Sequence, residues 1–459
     1  MIARVYWLVR SGLTMERLQV PRLFPNRPGG RRVIMYDLIV HGARLTGQTS
    51  LVDIGVADGR IAAIAPQLDD SARERIEANG ELILPPFIES HIHLDSVLTA
   101  GDPRYNESGT LFEGIQVWTE RKPSLTREDV VARATEAIRW QAANGILHIR
   151  THVDICDPQL TALRALLEVR ESVAPLVDMQ IVAFPQEGIP SYPGGAELLE
   201  EALRLGADAV GAIPHYEYTR EAGVASLHTC FSLAQKYDRM IDVHCDEIDD
   251  EQSRFVEVAA ALALQTGLHE RVTASHTTAM HSYNGAYTYK LFQLLKKARI
   301  NFVANPLINI TLQGRFDHYP VRRGVTRIKE LWREGVNVSL GHDDILDPWY
   351  GLGTGSMVQV AHMAVHTSHM TGRAEIAETV RMITTRAART LQIEGKYGID
   401  IGKPASFVII PAHDEFDLIR RQPMCRYVIS HGKLVAHTKP ARTTVTLHGD
   451  TKSVDFARA

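Results

Sequence analysis

Leu82-Ile83-Leu84-Pro85-Pro86-Phe87-Ile88-Glu89-Ser90-His91-Ile92-His93 is an apolar run that breaks into polar residues just before two histidines. Residues 82–88 have the length and composition of a buried strand. Successive strand residues point to opposite faces, so positions i and i+2 share a side and both imidazoles can reach one ion. An HxH pair alone is a weak signal, because two surface histidines at a strand end are commoner. What gives it weight lies downstream. His244, His276 and the pair Asp343-Asp344 each stand just past another short β-like run.

Eight such runs alternate with helical stretches, at residues 82–88, 146–151, 179–184, 209–213, 240–244, 271–275, 301–304 and 337–340. The clearest helix follows Thr126, which forms a capping-box-like start with Asp129. Val130, Val131, Ala134, Ala137 and Ile138 fall on its apolar face, and Gly145 ends it. Eight strand–helix units predict an α/β fold, a (β/α)8 TIM barrel. An open doubly wound sheet would not bring the ends of the first, fifth and eighth strands to one point. On either side the texture is β-rich. Residues 37–40, 51–56 and 60–64 read as strands, with Asp58-Gly59 as a hairpin turn. Residues 406–410, 426–429 and 433–436, the last after His431-Gly432, match them at the other end. Both ends are expected to fold together as one small β-sandwich, from residues 35–84 and 396–459, around a barrel over 85–395.

Composition excludes several classes. The chain has 459 residues, 45% hydrophobic and 23% charged, with a formal net charge of −4 and no long basic block, which speaks against nucleic acid as a partner. No apolar run approaches the roughly 18 residues of a membrane span, so no membrane partner is expected. Cys156, Cys230, Cys245 and Cys425 form no CxxC pair and read as reduced thiols of a cytoplasmic protein. Residues 1–34 differ, with seven arginines against the single acid Glu16. They lack a signal-peptide core and are expected to be a disordered extension, with Met35 near the true beginning.

The strand ends supply the chemistry. His244 adds a third imidazole to His91 and His93, and Asp343 adds an oxygen. Three nitrogens and one oxygen, with a place left for water, suit one divalent ion, Zn2+ or Fe2+. Cys245 faces away from His244 along the strand and reads as packing. Glu247, three residues past His244, is placed to carry a proton between water and substrate, although alone it would read as a capping or surface glutamate. His276 is either another ligand or a base and hydrogen-bonder beside the ligands; the second is favoured because four ligands are already supplied. The fourth strand ends Ala212-Ile213-Pro214-His215 without the lysine that a two-metal centre would use as a bridge. His215, His152 and Asp154 read as supporting residues. Gln186 offers an amide to an O=C–N–H edge, and Trp349 a surface on which a planar ring can stack.

These motifs resemble bacterial cytosine deaminases of the amidohydrolase superfamily. The resemblance runs from about Tyr36 to the C-terminal strands and rests on five stretches. They are Pro85 to Asp95 (PPFIESHIHLD), Ser108 to Gly114 (SGTLFEG), Phe184 to Gly188 (FPQEG), Asp242 to Glu247 (DVHCDE) and Gly341 to Asp344 (GHDD). It implies one iron or zinc ion per chain, hydrolysis of cytosine to uracil and ammonia in pyrimidine salvage, and a hexamer. By that resemblance the metal ligands are His91, His93, His244 and Asp343, and protons are handled by Glu247, His276 and Asp343. Gln186 reads the base, and Asp344 and Trp349 shape the pocket; water activated at the ion is expected to attack C4. Thr311 stands where the pattern has a histidine, which leaves the base preference open.

Rival readings keep the machinery and change the ring, to isoguanine, isocytosine, creatinine or an aminotriazine. A ring-opening two-metal amidohydrolase is less favoured for want of the lysine. A non-catalytic barrel scaffold would not need Glu247. The zinc nucleoside deaminases require a Pro-Cys-x-x-Cys motif, and the chain has no Pro-Cys dipeptide.

Overall fold

The computed structural model describes residues 35–69 and 71–457. The arginine-rich segment 1–34, expected to be disordered, lies outside the described residues. Five strands come first: β1 (Tyr36–Leu45), β2 (Leu51–Ala57), β3 (Arg60–Ala65), β4 (Ala72–Glu77) and β5 (Leu82–Leu84). Eight parallel strands follow. They are β6 (Phe87–Ile92), β7 (Ile146–Asp154), β8 (Asp178–Phe184), β9 (Ala209–Ala212), β10 (Met240–Cys245), β11 (Val272–His276), β12 (Asn301–Ala304) and β13 (Val338–Leu340). Then come β14 (Phe407–Ile410), β15 (Tyr427–Ser430), β16 (Lys433–His437), β17 (Thr443–Leu447) and β18 (Asp450–Val454).

Strands β6 to β13 lie side by side in chain order, with helices between them, as a (β/α)8 barrel requires. The circle is closed where β6 meets β13, through a single bridge between Ile92 and Asp343. There the His93 N–H donates to the Asp343 carbonyl at 3.0 Å, and the Asp343 N–H to the His91 carbonyl at 2.8 Å. One oxygen of the buried Glu89 carboxylate accepts from the His91 amide (3.2 Å) and the His342 amide (2.9 Å). The seam of the barrel is therefore built from the residues expected to hold the ion.

The run 82–88 is two strands rather than one. Pro85 and Pro86 have no N–H to give a ladder, and they divide it. Leu82–Leu84 pairs with β1 and, antiparallel, with β14, where Ile83 faces Ile409. Phe87–Ile92 pairs with β7 and is the first barrel strand. On β7 every residue is buried because both faces are covered. Leu147, Ile149 and Val153 join the apolar core. The alternate positions His148, Arg150, His152 and Asp154 share the opposite face. Arg150 on that face reaches across to Asp242 of β10 at 3.0 Å.

The helix Arg127–Ala143 starts where expected, the Thr126 hydroxyl accepting from the Asp129 amide at 3.2 Å. Gly145 follows it with φ +89, and a Cβ there would lie 2.8 Å from Cys425 Sγ. Only glycine lets the chain turn into β7 so close to the flanking sheet. That sheet runs β16-β15-β14-β5-β1-β2-β3, with β4 alongside β1, and so combines both ends of the chain. Its core includes Leu38, Val40, Ile54, Ile61, Phe407 and Ile429. Asp58 (φ 51) and Gly59 (φ 70) make the two-residue turn between β2 and β3. Strand β4 and the separate β17–β18 hairpin are additions that the sequence pattern did not signal. Among the described residues no helix is long and apolar enough to cross a membrane.

Candidate active site

All nine candidate residues converge at the end of the barrel where the strands finish. His91 lies on β6 and His93 just past it; His244 is on β10, His276 ends β11, and Asp343 follows β13. The donor atoms face one another. Nε2 of His93 is 3.1 Å from Nε2 of His244. Oδ1 of Asp343 is 3.3 Å from Nε2 of His91 and 3.5 Å from Nε2 of His93. Two atoms each about 2.05 Å from one ion, at 90–109° to each other, lie roughly 2.9–3.3 Å apart. These three separations match or slightly exceed the edges of such a polyhedron, and His91, His244, His276 and Asp343 together bring donor atoms within 4.8 Å of one another, so the cluster can hold a divalent ion.

The electrostatics agree. Burial, reinforced by neighbouring imidazoles, holds His91, His93 and His244 well below the usual histidine range. Their rings are therefore neutral, the state in which a nitrogen lone pair binds metal. Burial drives the Asp343 carboxyl well above its usual range; His276 opposes the shift and Glu247 adds to it. Both ring nitrogens of His91 and Nδ1 of His244 are buried without a hydrogen-bond partner. A cluster of neutral nitrogens around a disfavoured carboxylate lacks positive charge, and a divalent cation supplies it. The backbone is unusual at the same place. Asp246 (φ 53), His276 (φ 68), Thr277 (φ 45) and Asp343 (φ 75) occupy the left-handed region, which non-glycine residues rarely adopt.

Glu247 and His276 form a pair beside the donor cluster, with Oε1 of the carboxylate 2.9 Å from Nδ1 of the imidazole. His276 Nε2 is 3.7 Å from Asp343 Oδ2. Gln186, Asp344 and Trp349 line the same narrow cleft as His93, His244, Glu247, His276 and Asp343. Leu111, Ile308 and Leu312 give it an apolar wall. Asp347 fixes the loop that carries Trp349, accepting from the Trp349 and Tyr350 amides at 3.0 Å each and from the Ser96 hydroxyl at 3.2 Å.

Cys245 packs in the core, as its strand position implied. Thr311 turns to the Leu307 carbonyl at 2.9 Å and is not part of the cleft lining. Asn305 and Asn309 escaped the sequence reading. The Asn309 amide lies 3.1 Å from His276 Nδ1 and 3.4 Å from Glu247 Oε1, and that of Asn305 3.3 Å from Asp343 Oδ2. Asn305 immediately precedes the short helix Pro306–Leu312 and Asn309 lies within it, where polar side chains carry no periodic signal. His215 is buried, and its imidazole is pushed down to about 3 by that burial and by His276. Among the described residues, two side-chain groups could hold an ion, His91 with His244, His276 and Asp343, and His91 with His93 and His152; neither includes His215.

Comparison with known proteins matches this arrangement to a family. The amidohydrolase family profile covers residues 74–436. The structure of 5-methylcytosine deaminase from Klebsiella pneumoniae, liganded with 5-fluorocytosine, superposes with a TM-score of 0.86. It shares 48% identity over 88% of this chain and 98% of that one. N-isopropylammelide isopropyl amidohydrolase of Pseudomonas sp. (strain ADP) is 29% identical over 410 residues, 87% of this chain and 97% of that protein. Pterin deaminase of Rhizobium rhizogenes is 28% identical over 429 residues, 91% of this chain and 97% of its own length. The barrel, the strand-end donors and the extent of these matches place the chain in the amidohydrolase family, as a metal-dependent hydrolase acting on C–N bonds.

Proposed function

We propose that the protein removes the exocyclic amino group of a cytosine-type base, giving uracil or its 5-substituted form and ammonia. The observation that carries this reading is the Glu247–His276 pair, 2.9 Å apart, facing the cleft beside the four-donor cluster. The likeness to a 5-methylcytosine deaminase supports the ring class. The apolar wall of Leu111, Ile308 and Leu312 suits a planar ring with an apolar edge.

In this proposal His91, His93, His244 and Asp343 hold one zinc or iron(II) ion, which supplies the Lewis acidity that makes water lose a proton near neutral pH. Gln186 holds the O=C–N–H edge of the ring through its amide. Trp349 and Asp344 bound the C4–C5 edge. As water adds to C4, Asp343 and His276 accept its proton and Glu247 delivers one to N3. The hydroxyl now on C4 gives its proton to Glu247 and restores it, the amine takes the proton held by Asp343 and His276, and the C4–N bond breaks to leave a C4 carbonyl and ammonia. Water's two hydrogens end on N3 and on ammonia. Asn309, in contact with both Glu247 and His276, holds the pair in register. A hexamer, implied by the sequence resemblance, belongs to the same proposal.

Ammonia release is to be measured at steady state on zinc- and iron-loaded protein with cytosine, 5-methylcytosine, isoguanine and an aminotriazine. Turnover of a purine or triazine with neither pyrimidine accepted would overturn the proposed substrate.

A further inference from the structure

A metal-bound imidazole ordinarily donates its second ring N–H to a carboxylate, carbonyl or water, which fixes its tilt and tautomer. His91 departs from that pattern. Its Nε2 faces Asp343, while its buried Nδ1 has no hydrogen-bond partner. Lying against its ring instead is His152, with centroids 3.8 Å apart and planes inclined by 29°. His152 is wholly buried, and its Nε2 is 3.5 Å from Asp242 Oδ1.

Asp242 is anchored in turn. Arg150 Nη1 is 3.0 Å from its Oδ2, and the Ser275 hydroxyl donates to its Oδ1 at 2.6 Å. Arg150 also donates to Gln180 Oε1 (3.0 and 2.9 Å) and to the Thr390 carbonyl (3.1 Å). Arg150, Asp242 and Ser275 are all fully buried. Burying an ion pair costs desolvation, and apolar side chains of the same volume often stabilise a fold as well or better. Fold stability alone therefore gives little reason for this column of charge beneath the donor cluster.

We propose that His152 is a positioning residue. Seated on Asp242 and Arg150, it sets the plane of the His91 ring and so the direction of Nε2, doing by stacking what a hydrogen bond to Nδ1 would otherwise do. His152 is not itself a ligand. It offers a ring nitrogen within 4.8 Å of donor atoms of His91 and His93, but its ring lies flat against that of His91 and its Nε2 is turned to Asp242. The inference rests on the proposed ligand set, and its test reads metal binding rather than turnover.

The experiment compares full-length wild type, His152→Ala and His152→Phe. Zinc affinity is measured by competition with a chromophoric chelator, and ligand geometry by the visible spectrum of the cobalt(II)-loaded proteins. His152→Ala is expected to weaken zinc binding by about 10–100-fold, the usual effect of removing an outer support, and to alter the cobalt bands. His152→Phe keeps a flat ring under His91 and is expected to stay close to wild type in both. Wild-type affinity and spectrum in folded His152→Ala would overturn the proposal. So would X-ray absorption showing one imidazole fewer around zinc in His152→Phe, which would make His152 a ligand. If His152→Ala does not fold, His152→Phe decides alone: near-wild-type affinity supports the inference, and a loss of tenfold or more overturns it. A wild type that binds zinc but deaminates no pyrimidine would sink the proposed function and leave this inference standing.

Discussion

Glu247 Oε1 lies 2.9 Å from His276 Nδ1, so the proposed proton donor to the ring and the proposed base for water are one coupled pair. Burial opposes charge on His276, but Glu247 and Asp343 outweigh it and raise the imidazole above its usual value. Glu247→Gln keeps the shape of the pair and every proposed metal ligand while removing the transferable proton. We expect zinc content to be unchanged and kcat to fall by roughly 10²–10⁴-fold. Metal analysis alongside steady-state ammonia release checks both parts; near-normal turnover would remove Glu247 from the mechanism.

The barrel was legible because its strands are short, mostly apolar runs separated by helical stretches, and because histidines and acids recur just past several of those runs. His91, His93, His244 and Asp343 announced themselves by that contrast. Leu82–Leu84 and Phe87–Ile92 read as one strand because both are largely apolar, and composition does not say which sheet receives which half. Pro85-Pro86 was the signal, since two residues without N–H interrupt any ladder. Arg150 and Asp242 looked like ordinary charged residues in strands. Only closure of the barrel brings β7 opposite β10 and turns them into a buried pair. Asn305 and Asn309 stayed hidden for a similar reason, because their role depends on where a short helix sits, not on any local pattern.

Gly114 is tied to the cleft by what it lacks. A Cβ at this position would fall 2.3 Å from Cδ1 and 2.5 Å from Nε1 of Trp349. Alanine within a helix is worth about 1 kcal/mol over glycine, so Gly114→Ala should not weaken the helix itself. It should push the indole out of its place along the cleft. A displacement near 1 Å can cost on the order of 10²-fold in kcat/KM. We expect that loss for the pyrimidine substrate with zinc affinity unchanged. Steady-state kinetics and chelator competition on the purified variant test it, and unchanged kinetics would exclude Trp349 from substrate positioning.

Glu89 staples the closing seam, one carboxylate oxygen serving the amides of His91 and His342. Glu89→Leu leaves both buried N–H groups without their acceptor, at roughly 1–3 kcal/mol each. Glu89→Gln retains an oxygen in place and should cost less. Urea unfolding of the three proteins gives the order wild type, Gln, Leu in falling stability; equal stability of Leu and wild type would show that the seam does not depend on this side chain.

Removing the ion should act on stability as well as on turnover. A ligand present at 1,000 times its dissociation constant stabilises the folded state by about 4 kcal/mol. Chelator-stripped protein is therefore expected to lose ammonia release and to melt at a lower temperature, and added zinc or iron(II) should restore both. Identical melting curves before and after stripping, with metal loss verified, would show that the donor cluster holds no tightly bound ion.

Acid sensitivity can be read away from the cleft, at Asp417 in the helix Glu415–Arg421. Its carboxylate accepts from Arg421 Nε at 2.8 Å, from Arg420 at 2.9 Å and from the His413 amide at 3.2 Å. Hydrogen bonding from Arg421, the largest influence, holds the carboxyl below its usual value; burial opposes this, and the His413 amide and Arg420 assist it. A depressed folded value means that the charged form stabilises the fold above the unfolded value, near pH 4, and that this stabilisation fades as pH falls toward the lower folded value. Asp417→Asn should thus be less stable than wild type at pH 7, on the order of 1–3 kcal/mol for the charged hydrogen bonds lost. The gap should stay constant down to about pH 5 and narrow below pH 4. Urea midpoints measured from pH 7 to pH 3 trace that curve, and a gap that widens in acid would reverse the assignment.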